Sequence, residues 1–432
     1  MADISELPFI VTEHVIDGQH VREYPNATVD PNSTFKLVLK RYTPVDNLNP
    51  QPGDVTIIGA HGCGFPKEVY EPLWEDLLNR SRQDGYRIRS IWIADVANLG
   101  ASGVANEESL GNDPSWFDHS RDLLYMINKF RDEMPQPIVG VGHSMGAGQL
   151  VLLSLLHPRL FASLSLVEPV ISPDILTGKG PLLTVISLKR RHVWKSKAAA
   201  IQEARKTHKG WDKRVLDRWI LHAYRELPSP TSTHENCTAQ VDQPVTLVSS
   251  KYQEVLQYLR PNPSSHRPVG EEATPDSPPH DHLLYPDVIG PPQTTTEFYR
   301  YEPILAWKML KHVRPPVLYV LGQSSPFAAP RTRERILNRT GAGIGGSGGV
   351  KALQVEEKII PGSHQLPLEK ASETAAAVGP WISRSVRRWK DDDARIAKGW
   401  ASQPMNDRLK GMADWIPKLE KIMSSERGES RL

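Results

Sequence analysis

Gly142-His143-Ser144-Met145-Gly146 sets a serine between two glycines, directly after the apolar run 137–141 and directly before a helix-like segment at 147–157. A serine at a sharp strand-to-helix turn has its hydroxyl lifted clear of the sheet edge, and side chains at 142 and 146 would collide with neighbouring backbone. The N-terminus of the new helix directs free N–H groups at any negative charge that develops there. This arrangement predicts Ser144 as a nucleophile, with the Met145 amide as one oxyanion donor. A serine between glycines is more often a plain turn; the strand before it and the helix after it favour the chemical reading.

A serine hydroxyl needs a base. Of the 15 histidines, His364 follows the last strand and precedes the final helix, where the chain order serine, acid, histidine puts the base. The acid is less regular. It ordinarily follows the strand that here ends at Gly322, but Gln323-Ser324-Ser325-Pro326 offers no carboxylate. Glu168 ends the strand immediately after the elbow helix, at the same sheet edge, and has the reach to orient His364; its plainer reading is a loop residue before Pro169. Asp95 is the reserve. The loop His61-Gly62-Cys63-Gly64 follows the third strand, and its Cys63 amide is the expected second oxyanion donor, with His61 and Gly62 beside the substrate; the alternative is a Gly-rich turn. His143 is expected to point away.

The elements that must carry these groups read as strands at 9–16, 35–42, 55–60, 87–94, 137–141, 162–167, 316–322 and 352–360. Helices lie between them, around 73–78, at 113–130 behind an Asp113-Pro114 cap, at 147–157, around 331–337 and across 378–389. Alternation of this kind predicts a largely parallel sheet with helices on both faces. Residues 1–170 and 313–390 form the two parts of this core. Residues 171–312 break the pattern with helical pieces at 198–207 and 211–227 and nine prolines between 261 and 292, which predicts a cap inserted between the sixth and seventh strands. The glycine tract 341–349 reads as a flexible linker and lacks the context of a dinucleotide-binding loop. Residues 391–432 form a charged helical tail, with Trp415 and Ile416 available to dock it.

A net charge of only +2 from 52 basic and 50 acidic residues argues against nucleic acid as a partner. Two cysteines, Cys63 and Cys237, are too few for a disulfide framework and fit a reducing compartment. The stretch Met1-Ala2-Asp3-Ile4-Ser5-Glu6 is acidic and lacks a signal-peptide h-region, so no secretory leader is expected, and no uninterrupted apolar run approaches the length of a membrane span. No His/Asp/Glu cluster has metal-ligand spacing, and no cofactor is called for.

The elbow, the acid displaced to Glu168, the late His364 and the large insertion together resemble fungal peroxisomal α/β-hydrolases, the group of the mycophenolic acid pathway and of Alternaria toxin pathways. The resemblance implies the α/β-hydrolase fold and a serine–acid–histidine triad. Glu stands here where a member of that group has Asp, a departure that keeps the charge. It implies hydrolysis of an acyl-CoA thioester to a free acid in secondary metabolism. An ester or acylglycerol lipase with the same triad is the alternative, and a non-catalytic scaffold the remaining one. Lys189, Arg190, Arg191 and Lys195 are candidates for meeting CoA phosphates. Ser430-Arg431-Leu432 is a conservative variant of the S-K-L address, implying a peroxisomal import receptor as partner and a matrix location. A homodimer is compatible with the sequence.

Overall fold

Runs of aliphatic and β-branched residues become the central strands. In the computed structural model, which describes residues 7–173, 179–227, 243–261, 283, 287, 298–410 and 415–429, β1 (Phe9–Asp17) and β2 (Lys36–Pro44) pair antiparallel at one edge. They are followed by β3 (Val55–Ala60), β4 (Ile88–Ala94), β5 (Ile138–His143), β6 (Ser163–Val167), β7 (Val317–Gly322) and β8 (Val355–Ile360). Their order across the sheet is β1-β2-β4-β3-β5-β6-β7-β8. All pairings from β4 to β8 are parallel. β3, β5, β6 and β7 are buried along their whole length, as parallel strands covered on both faces must be. The helix Met145–Leu156 packs against them with Leu150, Val151 and Leu153 fully buried. Each such side chain contributes about 1.5–3 kcal/mol of burial, so the segment behind Ser144 is firmly held.

The chain divides into two units, Met1–Ser385 and Val386–Leu432. In the first, the excursion between β6 and β7 carries helices Lys179–Lys189, Lys197–Thr207, Lys213–His222, Lys251–Tyr258 and Glu302–Met309. It also holds a three-stranded sheet in which Val245–Leu247 lies between Val193–Trp194 and Tyr224–Glu226. The excursion leaves and returns at one point, where the Ser172 N–H donates to the Pro303 carbonyl at 3.2 Å. Most of the Pro-rich stretch lies outside the described residues. Its Asp287 is held at 2.6 Å by Arg260, which also pairs with Asp113 at 2.6 Å and stacks on the Tyr24 ring at 3.5 Å.

That pairing corrects one expectation. Asp113 spends its charge on Arg260, and the cap of the helix Trp116–Lys129 is Ser115, whose Oγ accepts from the Phe117 N–H. The glycine tract is corrected too. Gly341, Gly343 and Ser347 donate their N–H groups to the Leu310, Lys311 and Val313 carbonyls at 2.9, 2.7 and 3.0 Å, so the segment is a bonded turn and not a free linker. The second unit contains the end of the helix Ala371–Ala401, then Met405–Lys410 and Trp415–Glu429. Position 391 falls inside the first of these helices. Trp415 and Ile416 are exposed. Ser430, Arg431 and Leu432 lie outside the described residues, as does Cys237. No helix among the described residues is long and apolar enough to cross a membrane.

Candidate active site

Ser144 leaves β5 with φ 54° and ψ −116°, a left-handed conformation that costs a non-glycine residue roughly 1–3 kcal/mol unless its surroundings enforce it. They do. The Ser144 N–H donates to the Val167 carbonyl at 2.9 Å and its own carbonyl accepts from the Val170 N–H at 3.2 Å. The flanking glycines are required sterically: a Cβ at Gly146 would lie 2.4 Å from the Ala60 carbonyl oxygen, and one at Gly142 2.7 Å from the Ala147 Cα. The end of β6 thus grips the elbow from both sides.

Ser144 Oγ lies 2.9 Å from His364 Nε2, and His364 Nδ1 lies 3.0 Å from Glu168 Oε2. The three residues come from the ends of β5, β6 and β8. The His364 loop crosses the end of β7 to reach the other two, zipped to it by Gln323 and Ser324, whose N–H groups donate to the Ile360 and Gly362 carbonyls at 2.8 and 3.0 Å. Glu168 is fully buried, with φ 52°. Its Oε1 accepts from the Gly322 N–H at 2.5 Å, and its Oε2 accepts from the Ser325 hydroxyl. The loop that lacks a carboxylate therefore supplies an N–H and a hydroxyl that hold one. Ser325 had no sequence signal beyond its place beside the missing acid. Asp95 lies elsewhere, paired with Lys67 Nζ at 2.7 Å and accepting from the Ala101 N–H at 2.9 Å.

Met145 at the helix start and Cys63 in the loop after β3 both line the cavity in front of Ser144. Neither N–H is spent on another backbone group among the described residues. Two N–H groups left free at the elbow can stabilise an oxyanion on a carbon attacked by Ser144. Burial pushes the Cys63 thiol well up, so its side chain stays a neutral thiol. His61 and Gly62 do not line the cavity, which corrects their expected place beside a substrate. His61 is fully buried; its Nε2 accepts from the Val96 N–H at 3.0 Å and its Nδ1–H donates to the Gly62 carbonyl at 2.9 Å. It holds the loop. His143 is turned from the cavity and buried, as expected, but its ring reaches the backbone of His364.

The cavity has a volume of about 540 Å³ and walls that include Phe65, Trp116, Trp194, Trp219 and Phe327, a size and lining suited to an apolar organic group. Of the four basic residues singled out in the insertion, Arg190 is committed to Glu254 at 2.6 Å and Arg191 faces Glu203 at 3.4 Å, while Lys189 and Lys195 are exposed. The excursion reaches the neighbour of His364: Trp211 Nε1–H donates to the side chain of Gln365 at 2.8 Å. Among the described residues no group of three His, Cys, Asp or Glu could hold a metal ion.

Residues 57–378 match the family model described as the alpha/beta hydrolase family. The chain is 38% identical over 411 residues to the type I acyl-CoA thioesterase mpaH' of Penicillium brevicompactum, spanning 89% of this chain and 91% of that protein. It is 37% identical over 445 residues to the type I acyl-CoA thioesterase mpaH of Penicillium roqueforti, spanning 99% and 98%. Among solved structures, the peroxisomal alpha-beta-hydrolase Lpx1 of Saccharomyces cerevisiae aligns with a TM-score of 0.65 at 17% identity, over 92% of this chain and all of that one.

Proposed function

The chain belongs to the α/β-hydrolase family, and from that premise we propose that it is an acyl-CoA thioesterase in which Ser144, His364 and Glu168 form the catalytic triad. The observation that carries the substrate class is the near full-length similarity to the two Penicillium thioesterases. The geometry supports the roles. His364 Nε2 takes the proton as Ser144 Oγ adds to the thioester carbonyl carbon, and the Met145 and Cys63 amides hold the resulting oxyanion. The carbon–sulfur bond then breaks, and His364 gives its proton to the departing thiolate. Water attacks the acyl-enzyme by the same route, its proton passing to His364, and the free acid leaves with Ser144 restored. Glu168 keeps the His364 proton on Nδ1 and stabilises the imidazolium. The cavity takes the acyl group. The same reading includes a peroxisomal matrix address carried by Ser430-Arg431-Leu432.

The test is hydrolysis of a panel of CoA thioesters beside matched oxygen esters. We expect kcat/KM for the best thioester to exceed that of its ester at least about tenfold, a difference of about 1.4 kcal/mol in transition-state binding. Turnover of esters alone would replace this reading with a lipase. A protein that turns over neither, and whose serine resists fluorophosphonate, would be a scaffold.

The hold on the acid gives a second expected result. Ser325→Ala removes one donor from Glu168 Oε2 while leaving Gly322 and His364 in place. A hydrogen bond to a charged group is worth about 1.5–3 kcal/mol, so kcat should fall about tenfold with KM little changed. Steady-state kinetics on the best thioester decides it, and an unchanged kcat would remove Ser325 from the account.

A further inference from the structure

A line of hydrogen bonds that the reaction does not itself use runs from the oxyanion loop to the base. The Gly62 N–H donates to Tyr70 Oη at 2.7 Å. Tyr70 Oη lies 2.8 Å from His143 Nδ1, and His143 Nε2 lies 2.9 Å from the His364 carbonyl oxygen. Chemistry fixes the direction of every bond. A carbonyl only accepts, so His143 carries its proton on Nε2. Its Nδ1 is then an acceptor and takes the Tyr70 hydroxyl proton, which leaves the Tyr70 oxygen to accept from Gly62.

The line is enclosed, since Tyr70 and His143 are each 2% exposed. Burial, reinforced by the neighbouring His364, lowers His143 to about 3, so the ring stays neutral and the bond directions hold across the working range of pH. The loop also packs on the ring: Phe65 stacks against His143 with centroids 6.2 Å apart, and a Cβ on Gly62 would lie 2.8 Å from His143 Nδ1. Gly62 precedes the Cys63 donor, and His143 precedes the nucleophile.

We propose that Tyr70 and His143 are positioning residues that hold the Cys63 amide and the His364 ring in fixed relation to Ser144. The proposal rests on the hydrolase reading. An oxyanion donor and a base work only when both meet the same tetrahedral carbon, and small displacements of either are expensive in rate.

The test uses the full chain with Tyr70→Phe, His143→Gln and His143→Leu, read by kcat, KM, the rate of fluorophosphonate labelling and the melting temperature. Tyr70→Phe keeps the ring and leaves the Gly62 N–H without its acceptor. We expect kcat and labelling rate to fall about tenfold, the scale of one displaced oxyanion donor in part, with KM within about twofold. Glutamine at 143 places an amide N–H near the position of Nε2 and keeps the bond to the His364 carbonyl, so His143→Gln should retain about tenfold more activity than His143→Leu. The double variant Tyr70→Phe/His143→Leu should be no slower than His143→Leu alone, because both changes break one line.

Folded variants that keep kcat within about twofold of wild type overturn the proposal, as does equal loss in the Gln and Leu variants. Should Tyr70→Phe fail to fold, the comparison at 143 decides. A wild type that neither hydrolyses nor labels overturns the hydrolase reading and this proposal with it. An active wild type with indifferent variants overturns this proposal alone.

Discussion

Ser144→Ala is expected to lower kcat by about 10⁴–10⁶-fold, the range seen when the nucleophile of a serine–histidine pair is removed. Ser144 Oγ is the cavity-lining hydroxyl that meets a histidine, at 2.9 Å from His364 Nε2, and alanine leaves water to attack without an acyl-enzyme. Residual turnover should come from the two oxyanion amides and from substrate binding, so KM should change far less than kcat. The change is mild for the fold: alanine removes one hydroxyl and keeps the backbone bonds to Val167 and Val170 that enforce the elbow. His364→Ala should cost a similar factor, and the double variant no more than either single one, because the pair acts as a unit. Active-site titration with fluorophosphonate excludes contaminating wild type. A purified Ser144→Ala protein retaining more than about 1% of wild-type kcat would end the claim that this serine is the nucleophile.

Glu168→Gln should cost about 10³–10⁴-fold in kcat, although it is nearly isosteric. The reason is the direction of the bonds around the carboxylate. Glu168 Oε1 accepts from the Gly322 N–H, and Oε2 accepts from Ser325 and His364. An amide cannot satisfy both sides. With its oxygen toward Gly322, its NH₂ donates to His364 Nδ1 and drives the imidazole proton onto Nε2, where it blocks proton transfer from Ser144. With its oxygen toward His364, its NH₂ meets the Gly322 N–H, donor against donor, in a fully buried place. The first arrangement loses the base and the second loses stability. Kinetics and the melting temperature together tell which one the protein adopts. A Glu168→Gln variant as fast and as stable as wild type would mean that His364 takes its orientation from another group.

Much of this site can be read in the sequence because its geometry follows local pattern and chain order. The elbow needs a strand, two glycines and a helix, and all of these lie within twenty residues. His364 follows from its place after the last strand, and Glu168 from the absence of a carboxylate after Gly322. What stays hidden depends on contacts between distant segments. The Ser325 hydroxyl and the Tyr70 hydroxyl have no period or spacing that marks them, since each meets a partner delivered by the sheet. Asp113 reads as a cap because capping is a local rule, yet Arg260 claims it from across the excursion. The glycines at 341–349 have the composition of a flexible tract, and the Leu310, Lys311 and Val313 carbonyls order them. His61 reads as a substrate contact because of its neighbours; its burial shows only when β4 is laid beside β3. The small sheet of the excursion has strands of two or three residues, too short for alternation to show.

The meeting of Ser172 with Pro303 bears on how such a chain can diversify. A segment that departs and rejoins at neighbouring residues, Ser172 and Pro303, sets no demand on the register of β6 and β7, whatever its length. Its contents can be lengthened, shortened or exchanged while the sheet keeps its form. Glu168 lies just before the point of departure and His364 beyond the point of return, so both belong to the sheet and its loops and not to the inserted segment. The aromatic walls of the cavity come from both parts: Trp194 and Trp219 from the inserted segment, and Phe65, Trp116 and Phe327 from the sheet and its loops. One junction therefore lets the inserted segment reshape part of the cavity lining without moving the serine, histidine and glutamate that meet in front of it.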